Sequence, residues 1–145
     1  MSTVVDAPSL SKPSSFLAFD FGSRRIGVAT GSTLTGGAEP LRTLDADGAA
    51  TFDAIGKLVD EWQPDALVVG VPVHPDGAAH ENTRRARRFA RRLQGRFHLP
   101  VHEVDERYST TEARARGQRD LDAASAAIIL EQFLRSLRLP DAPTA

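Results

Sequence analysis

The chain contains no cysteine, which excludes disulfide bonds, thiolate nucleophiles and cysteine-held metals and is compatible with a reducing interior. Lysine is almost missing too: of 18 basic residues only Lys12 and Lys57 are not arginine. No apolar run approaches the roughly 20 residues that a membrane-spanning helix requires. The opening MSTVVDAPSLSKPSS has neither a basic n-region nor an apolar segment, so no secretory signal is expected there and a cytosolic protein is the expectation. No internal repeat is visible.

What remains is the composition of a soluble globular protein. Its 145 residues are enough for one domain with a proper core and too few for two ordinary ones. The net charge of −1 conceals an asymmetry. Between Arg84 and Arg119 stand eleven arginines against Glu103, Asp105, Glu106 and Glu112, a local balance of +7. A guanidinium is a planar fork that can grip phosphate at two points, so the cluster leans towards nucleic acid or another polyanion. A GC-rich genome would account for arginine over lysine, but not for the clustering.

The stretch FLAFDFGSRRIGVATG, from Phe16 to Gly31, organises the rest. Phe16 to Phe21 has the length and aromatic content of a strand buried on both faces. Asp20 interrupts it with a carboxylate. An unpaired buried charge is very costly, so Asp20 either sits at the rim of a sheet or is neutralised by a cation. A turn at Gly22-Ser23 leads to a second strand at about 25–30. So short a connection joins antiparallel neighbours.

Residues 1–15 read as a disordered lead-in and 140–145 as a tail, leaving a single domain over 16–139. Leu41 to Leu44 suggests a short third strand. Phe52, Ile55, Leu58, Val59 and Trp62 recur at helical spacing over about 49–62, and Pro64 ends that helix. Ala66 to Val71 is a β-branched run of the kind found in central parallel strands. A helix follows over about 83–97, capped by Asn82 or Thr83, with Ala86, Phe89, Ala90, Leu93 and Phe97 as its buried stripe. Arg84, Arg85, Arg87, Arg88, Arg91 and Arg92 lie on its other sides. Residues 99–104 form a fifth strand, and Ser109 to Glu112 reads as a capping box opening a short helix. The last helix, about 120–139, has Ile128, Ile129, Phe133, Leu134 and Leu137 as its apolar face. A front hairpin followed by two αβ units predicts an α/β fold, a mixed five-stranded sheet with helices on both faces. Right-handed crossovers place the first strand beside 66–71, with Asp20 near the middle of the sheet.

Three carboxylates lie at the ends of elements: Asp20, Glu106 and Asp122. Brought together they would repel one another unless a divalent cation sat among them. Hard oxygen ligands point to Mg²⁺ or Mn²⁺ rather than zinc. Beside an arginine-rich helix, the chemistry suggested is phosphodiester hydrolysis. Each carboxylate also has a plainer role open to it: a strand-end rim position for Asp20, a partner of Arg107 for Glu106, and the opening turn of a helix for Asp122. Arg24, Arg25 and Arg107 flank the proposed site and can hold phosphate or simply pair with carboxylates. His98 and His102 are separated by Pro100, which keeps them off one helix face and argues against zinc.

DFGSRRIGVATG at 20–31 resembles the opening of the YqgF/RuvX family of the RNase H-like superfamily. The likeness continues through LVVGVPVHPDG at 67–77, ENTRRARRFARRL at 81–93, VDERYSTTEA at 104–113 and DAASAAIIL at 122–130. It implies an RNase H-like fold and a metal-dependent endonuclease, with the family's acidic residues falling on Asp20, Glu106 and Asp122. The family is associated with processing the 5′ end of precursor 16S ribosomal RNA and was earlier described as a Holliday-junction resolvase. The chain departs from the family at His74-Pro75, where Asn-Met is usual. Gly70, Val71 and Pro72 also stand where many RNase H-like nucleases carry a glutamate.

The expected partner is therefore nucleic acid, as structured RNA or branched DNA, bound by Arg24, Arg25, Arg84, Arg88, Arg91 and Arg107. The protein would be a monomer or a weakly associating homodimer, with no membrane partner. Two other classes compete. Sugar-kinase and actin-like phosphotransferases share the core, but they clamp ATP between two such domains. A ribosome-assembly factor with little activity of its own would need the same arginine helix.

Overall fold

A computed structural model of the chain describes residues 14–22, 24–46, 50–72, 81–105 and 121–138. The elements in chain order are β1 (Ser15–Phe21), β2 (Arg25–Ser32), β3 (Ala38–Asp45), α1 (Ala50–Trp62), β4 (Ala66–Val71), α2 (Glu81–Phe97), β5 (Val101–Asp105) and α3 (Leu121–Arg138). The strands make one sheet in the order β3-β2-β1-β4-β5. The expected mixed five-stranded sheet is present, and β1 is its central strand. Residues 1–13 of the lead-in, the tail, the loop around His74-Pro75 and the capping box at 109–112 lie outside the described residues, while Ser15, read as the end of the lead-in, is the first residue of β1.

β1 and β2 form the antiparallel hairpin, with Phe21 opposite Ile26 and Asp20 opposite Gly27. The Gly22 amide donates to the Arg25 carbonyl at 2.9 Å and closes the turn. On its other side β1 runs parallel to β4, from Phe16 opposite Ala66 to Asp20 opposite Gly70. β4 in turn runs parallel to β5, with Val71 opposite Asp105.

Strand alternation divides the core. Leu17, Phe19, Ile26 and Val28 face one way, packed with Phe52, Ile55, Leu58, Phe89 and Leu93 of α1 and α2. Phe16, Ala18, Ala66 and Val68 face the other, against Ile129, Leu130 and Leu134 of α3. α1 and α2 share a face because both crossovers, β3 to β4 and β4 to β5, move the same way across the sheet with the same hand. Phe19 is fully buried, so truncating it to alanine should cost about 3–5 kcal/mol.

Several element ends differ from the sequence reading. β3 spans eight residues rather than four, since as an edge strand it accepts Pro40 without losing a ladder bond. A register shift between Val28 and Ala29 accommodates the extra residue opposite them. α2 begins at Glu81, so Thr83 does not cap it. The buried Thr83 hydroxyl instead donates to the Pro72 carbonyl at 2.7 Å, tying the helix to the end of β4. Trp62 and Leu137, assigned above to apolar stripes, are 40% and 39% exposed because each lies in the last turn of its helix, beyond the sheet's cover.

Gln63 and His98 close α1 and α2 in the left-handed region, at φ 47° and 56°. Their amides reach back to the carbonyls of Val59 and Gln94 at 2.8 and 3.0 Å. A side chain in that conformation is strained by about 1–2 kcal/mol, which glycine escapes at some cost in chain entropy. The exposed His98→Gly variant should therefore gain up to about 1 kcal/mol in denaturant unfolding. A loss of stability would contradict this account of the helix end.

Candidate active site

Asp20 is the penultimate residue of β1 and is half-buried. Phe16 and Ala18, which share its side of the strand, face α3, so alternation gives Asp20 the same face. Asp122 is the second residue of α3. Gly27 brings the two together. It is the cross-strand partner of Asp20, and its α-carbon lies so close to α3 that a Cβ there would overlap the Asp122 carbonyl oxygen and crowd the Ala123 amide at 2.7 Å. Only a residue with no side chain lets the start of α3 come down on the sheet at this point.

This role for Gly27 was not drawn from the sequence, where IGVATG reads simply as a strand. The available signal was the glycine itself. Inside a strand pattern it often marks the close approach of another backbone.

The Asp122 carboxylate pairs with Nε of Arg25 at 3.1 Å. Arg25 is largely exposed and Asp122 one-third exposed, so the pair adds little to stability. It does orient Asp122 and places one positive charge on the carboxylate face. Arg24 sits exposed beside it at the hairpin tip. Asp20, Asp122 and Arg25 are thus the expected site residues that the structure groups together.

Others are placed elsewhere or cannot be placed. Glu106 and Arg107 lie outside the described residues; the last described residue of β5 is Asp105, opposite Val71. Arg84, Arg88 and Arg91 belong to α2, on the face opposite Asp20, and only the start of that helix reaches the carboxylate end of the sheet. Arg84 is paired with Glu81 at 3.4 Å. Among the described residues, no group of three or more His, Cys, Asp or Glu side chains is placed to hold a metal ion.

His102 packs on the Phe133 ring, with centroids 5.0 Å apart. Burial lowers its pKa from the ordinary 6.5. The neutral ring is favoured in the fold, so its contribution to stability is present above that value and is lost as pH falls below it. No helix among the described residues is long and apolar enough to cross a membrane.

The donor set suits a hard divalent cation. Mg²⁺ is commonly held by one or two carboxylates with the remaining positions filled by water and substrate phosphate. Two aspartates at the crevice end of an α/β sheet offer that, with the cationic Arg25 already drawn to one of them.

Comparison with known proteins agrees with this architecture. Residues 14–136 match the family described as "RuvX: Holliday junction resolvase". A relative from Albidiferax ferrireducens named "Putative pre-16S rRNA nuclease" is 67% identical over 122 residues, covering 84% of this chain and 78% of its own. One of the same name from a Polaromonas species is also 67% identical, covering 84% and 88%. Among solved structures, Thermus thermophilus RuvC in complex with a Holliday junction substrate superposes with a TM-score of 0.55 at 14% identity, over 84% of this chain and 94% of that one. At that identity the likeness concerns the fold, which is the RNase H-like α/β fold that the sequence resemblance implied. With the family match spanning nearly the whole described chain, the protein belongs to the RuvX family.

Proposed function

We propose that the protein is a metal-dependent endonuclease that hydrolyses phosphodiester bonds in structured RNA, acting in the cytoplasm on the 5′ end of precursor 16S rRNA. The observation that carries this reading is Gly27, the shared neighbour that puts Asp20 and the backbone of Asp122 at one spot on the sheet. The names of the curated relatives point to the RNA substrate. A bound Mg²⁺ or Mn²⁺ would activate water and stabilise the leaving oxygen.

The chain's own residues supply the rest. Asp20 and Asp122 would hold the cation, with Glu106 as a third ligand. Arg25 carries five N–H donors, of which the pair with Asp122 uses the one on Nε. The same side chain can therefore also donate to a phosphate. Arg24 and Arg107 are assigned to the flanking phosphates, and Arg84, Arg88 and Arg91 to backbone contacts that position the substrate without reading its sequence.

The assignment of Glu106 has its own expected outcome. Glu106→Gln should lose cleavage while binding nucleic acid at least as tightly, because a negative charge near phosphate has been removed. Full activity in this variant would leave Glu106 as a structural partner of Arg107.

Substrate class is tested by cleavage of a precursor 16S 5′-leader RNA and a four-way DNA junction of equal length. Preferential cutting of the RNA supports the proposal. Paired, symmetric cuts in the junction would favour the resolvase reading and would require a dimer. Tight binding with no cleavage of either would favour an assembly factor.

A further inference from the structure

Six of the seven arginines of α2 fall into two groups. Arg84, Arg87 and Arg96 each pair with a carboxylate: Glu81 at 3.4 Å, Glu103 at 3.7 Å and Asp53 at 3.1 Å. Arg85, Arg88 and Arg92 pair with no carboxylate among the described residues. Their i, i+3, i+7 spacing puts them on one stripe of the helix, and all three line one pocket of about 120 Å³.

The floor of that pocket is aromatic. Phe89 packs against Phe21 and Phe52, with ring centroids 5.1 and 5.9 Å away. The guanidinium of Arg92 lies over the Phe52 ring at 4.5 Å, and that of Arg85 over Phe21 at 5.9 Å. Rings in these positions hold the forks at fixed places instead of leaving them to solvent. Thr51 and Phe52, in the first turn of α1, line the same pocket, adding the positive end of a helix dipole. Three guanidinium groups and a helix start around one small space repel one another, and an anion relieves that repulsion.

The position of the pocket indicates which anion. Phe21 directly follows Asp20 on β1, and alternation sends the two side chains to opposite faces. The pocket and the carboxylates therefore sit back to back across the same end of the central strand. We infer that the pocket is a second phosphate site, taking a backbone phosphate of a nucleic-acid strand that crosses this edge of the sheet. The choice of a nucleic-acid strand as the occupant rests on the nuclease reading above.

The test is binding of a labelled 5′-leader RNA to the full chain in EDTA across a salt series. Arg88→Gln/Arg92→Gln is compared with Arg87→Gln/Arg96→Gln, which removes the same charge from the same helix. The first pair should weaken binding about tenfold or more and lower the salt slope by about 0.7–0.9 for each phosphate no longer gripped. The second should change affinity less than about threefold. Equal losses in the two doubles, or no loss in the first, would overturn the proposal.

A parallel titration with inorganic phosphate separates the sources. If Arg88→Gln/Arg92→Gln loses inorganic phosphate but keeps RNA, the pocket serves a free anion and the strand proposal falls. Should that double fail to fold, Arg88→Lys/Arg92→Lys keeps the charge but removes the planar fork, and it should still weaken RNA binding measurably. Unchanged binding in the lysine variant counts against the proposal. Because the assay measures binding without metal, its result stands apart from cleavage. Failure of the nuclease reading would appear as RNA bound but left uncut by the wild-type chain in Mn²⁺ or Mg²⁺, with this comparison unaffected.

Discussion

Gly27→Ala should abolish nucleic-acid cleavage and cost the fold at least about 1–3 kcal/mol, the usual range for overpacking a tight site. Even a single methyl group would overlap the Asp122 carbonyl oxygen. The added carbon has nowhere to go, because the obstacle is backbone rather than a rotatable side chain. Gly27 is also held from both sides by β1 and β3, opposite Asp20 and Thr43. The strand cannot retreat without breaking two ladders, so the first turn of α3 must lift off the sheet.

Lifting that turn moves Asp122 away from Asp20, and catalytic groups displaced by about 1 Å can lose around 100-fold in rate. Gly27→Ala should therefore lose activity even under conditions where it remains folded. Circular dichroism with single-turnover cleavage on the same sample checks this. A folded and fully active Gly27→Ala protein would show that the close approach is not needed.

The second large effect is expected from the isosteric pair Asp20→Asn and Asp122→Asn. Each keeps the shape of the side chain and removes its charge. If both carboxylates hold the cation, each change should reduce cleavage by more than the roughly 100-fold that loss of an outer-shell partner of a metal ligand can cost. Their effects on stability should differ in origin but remain small. Asp20 sits half-buried at the end of a strand, where removing a partly desolvated charge offsets the electrostatic interactions given up with it. Asp122→Asn gives up an exposed ion pair with Arg25, worth about 1 kcal/mol or less. Denaturant unfolding beside the cleavage assay separates loss of chemistry from loss of fold.

The sequence made some of this plain and concealed the rest for identifiable reasons. A carboxylate inside FLAFDF and a short turn after it were enough to place Asp20 on a central strand of a mixed sheet, because strand spacing and crossover hand leave few arrangements. Asp122 carried no comparable local signal. A carboxylate in the first turn of a helix is commonplace, and its place at an element end gained weight only from the resemblance to a family. The close approach of Gly27 to Asp122 joins residues far apart in the chain, and no local pattern encodes it.

The arginines of α2 present the same contrast. Their number and helical stripe were legible, but which were neutralised was not. Glu103 and Asp53 approach from β5 and α1, so the division into paired and pocketed arginines exists only in the folded chain. Trp62 and Leu137 followed helical spacing correctly but stood where the helices outrun the sheet, a boundary that periodicity does not mark.

The most direct measurement is single-turnover cleavage of a 5′-leader RNA by the wild-type chain and Asp20→Asn side by side, in Mn²⁺, Mg²⁺ and EDTA. A carboxylate-held cation at Asp20 predicts cutting by the wild type in either metal, none in EDTA, and none by a folded Asp20→Asn protein that still binds the RNA. Cleavage that persists in EDTA, or that a folded Asp20→Asn protein carries out at the wild-type rate, would contradict it.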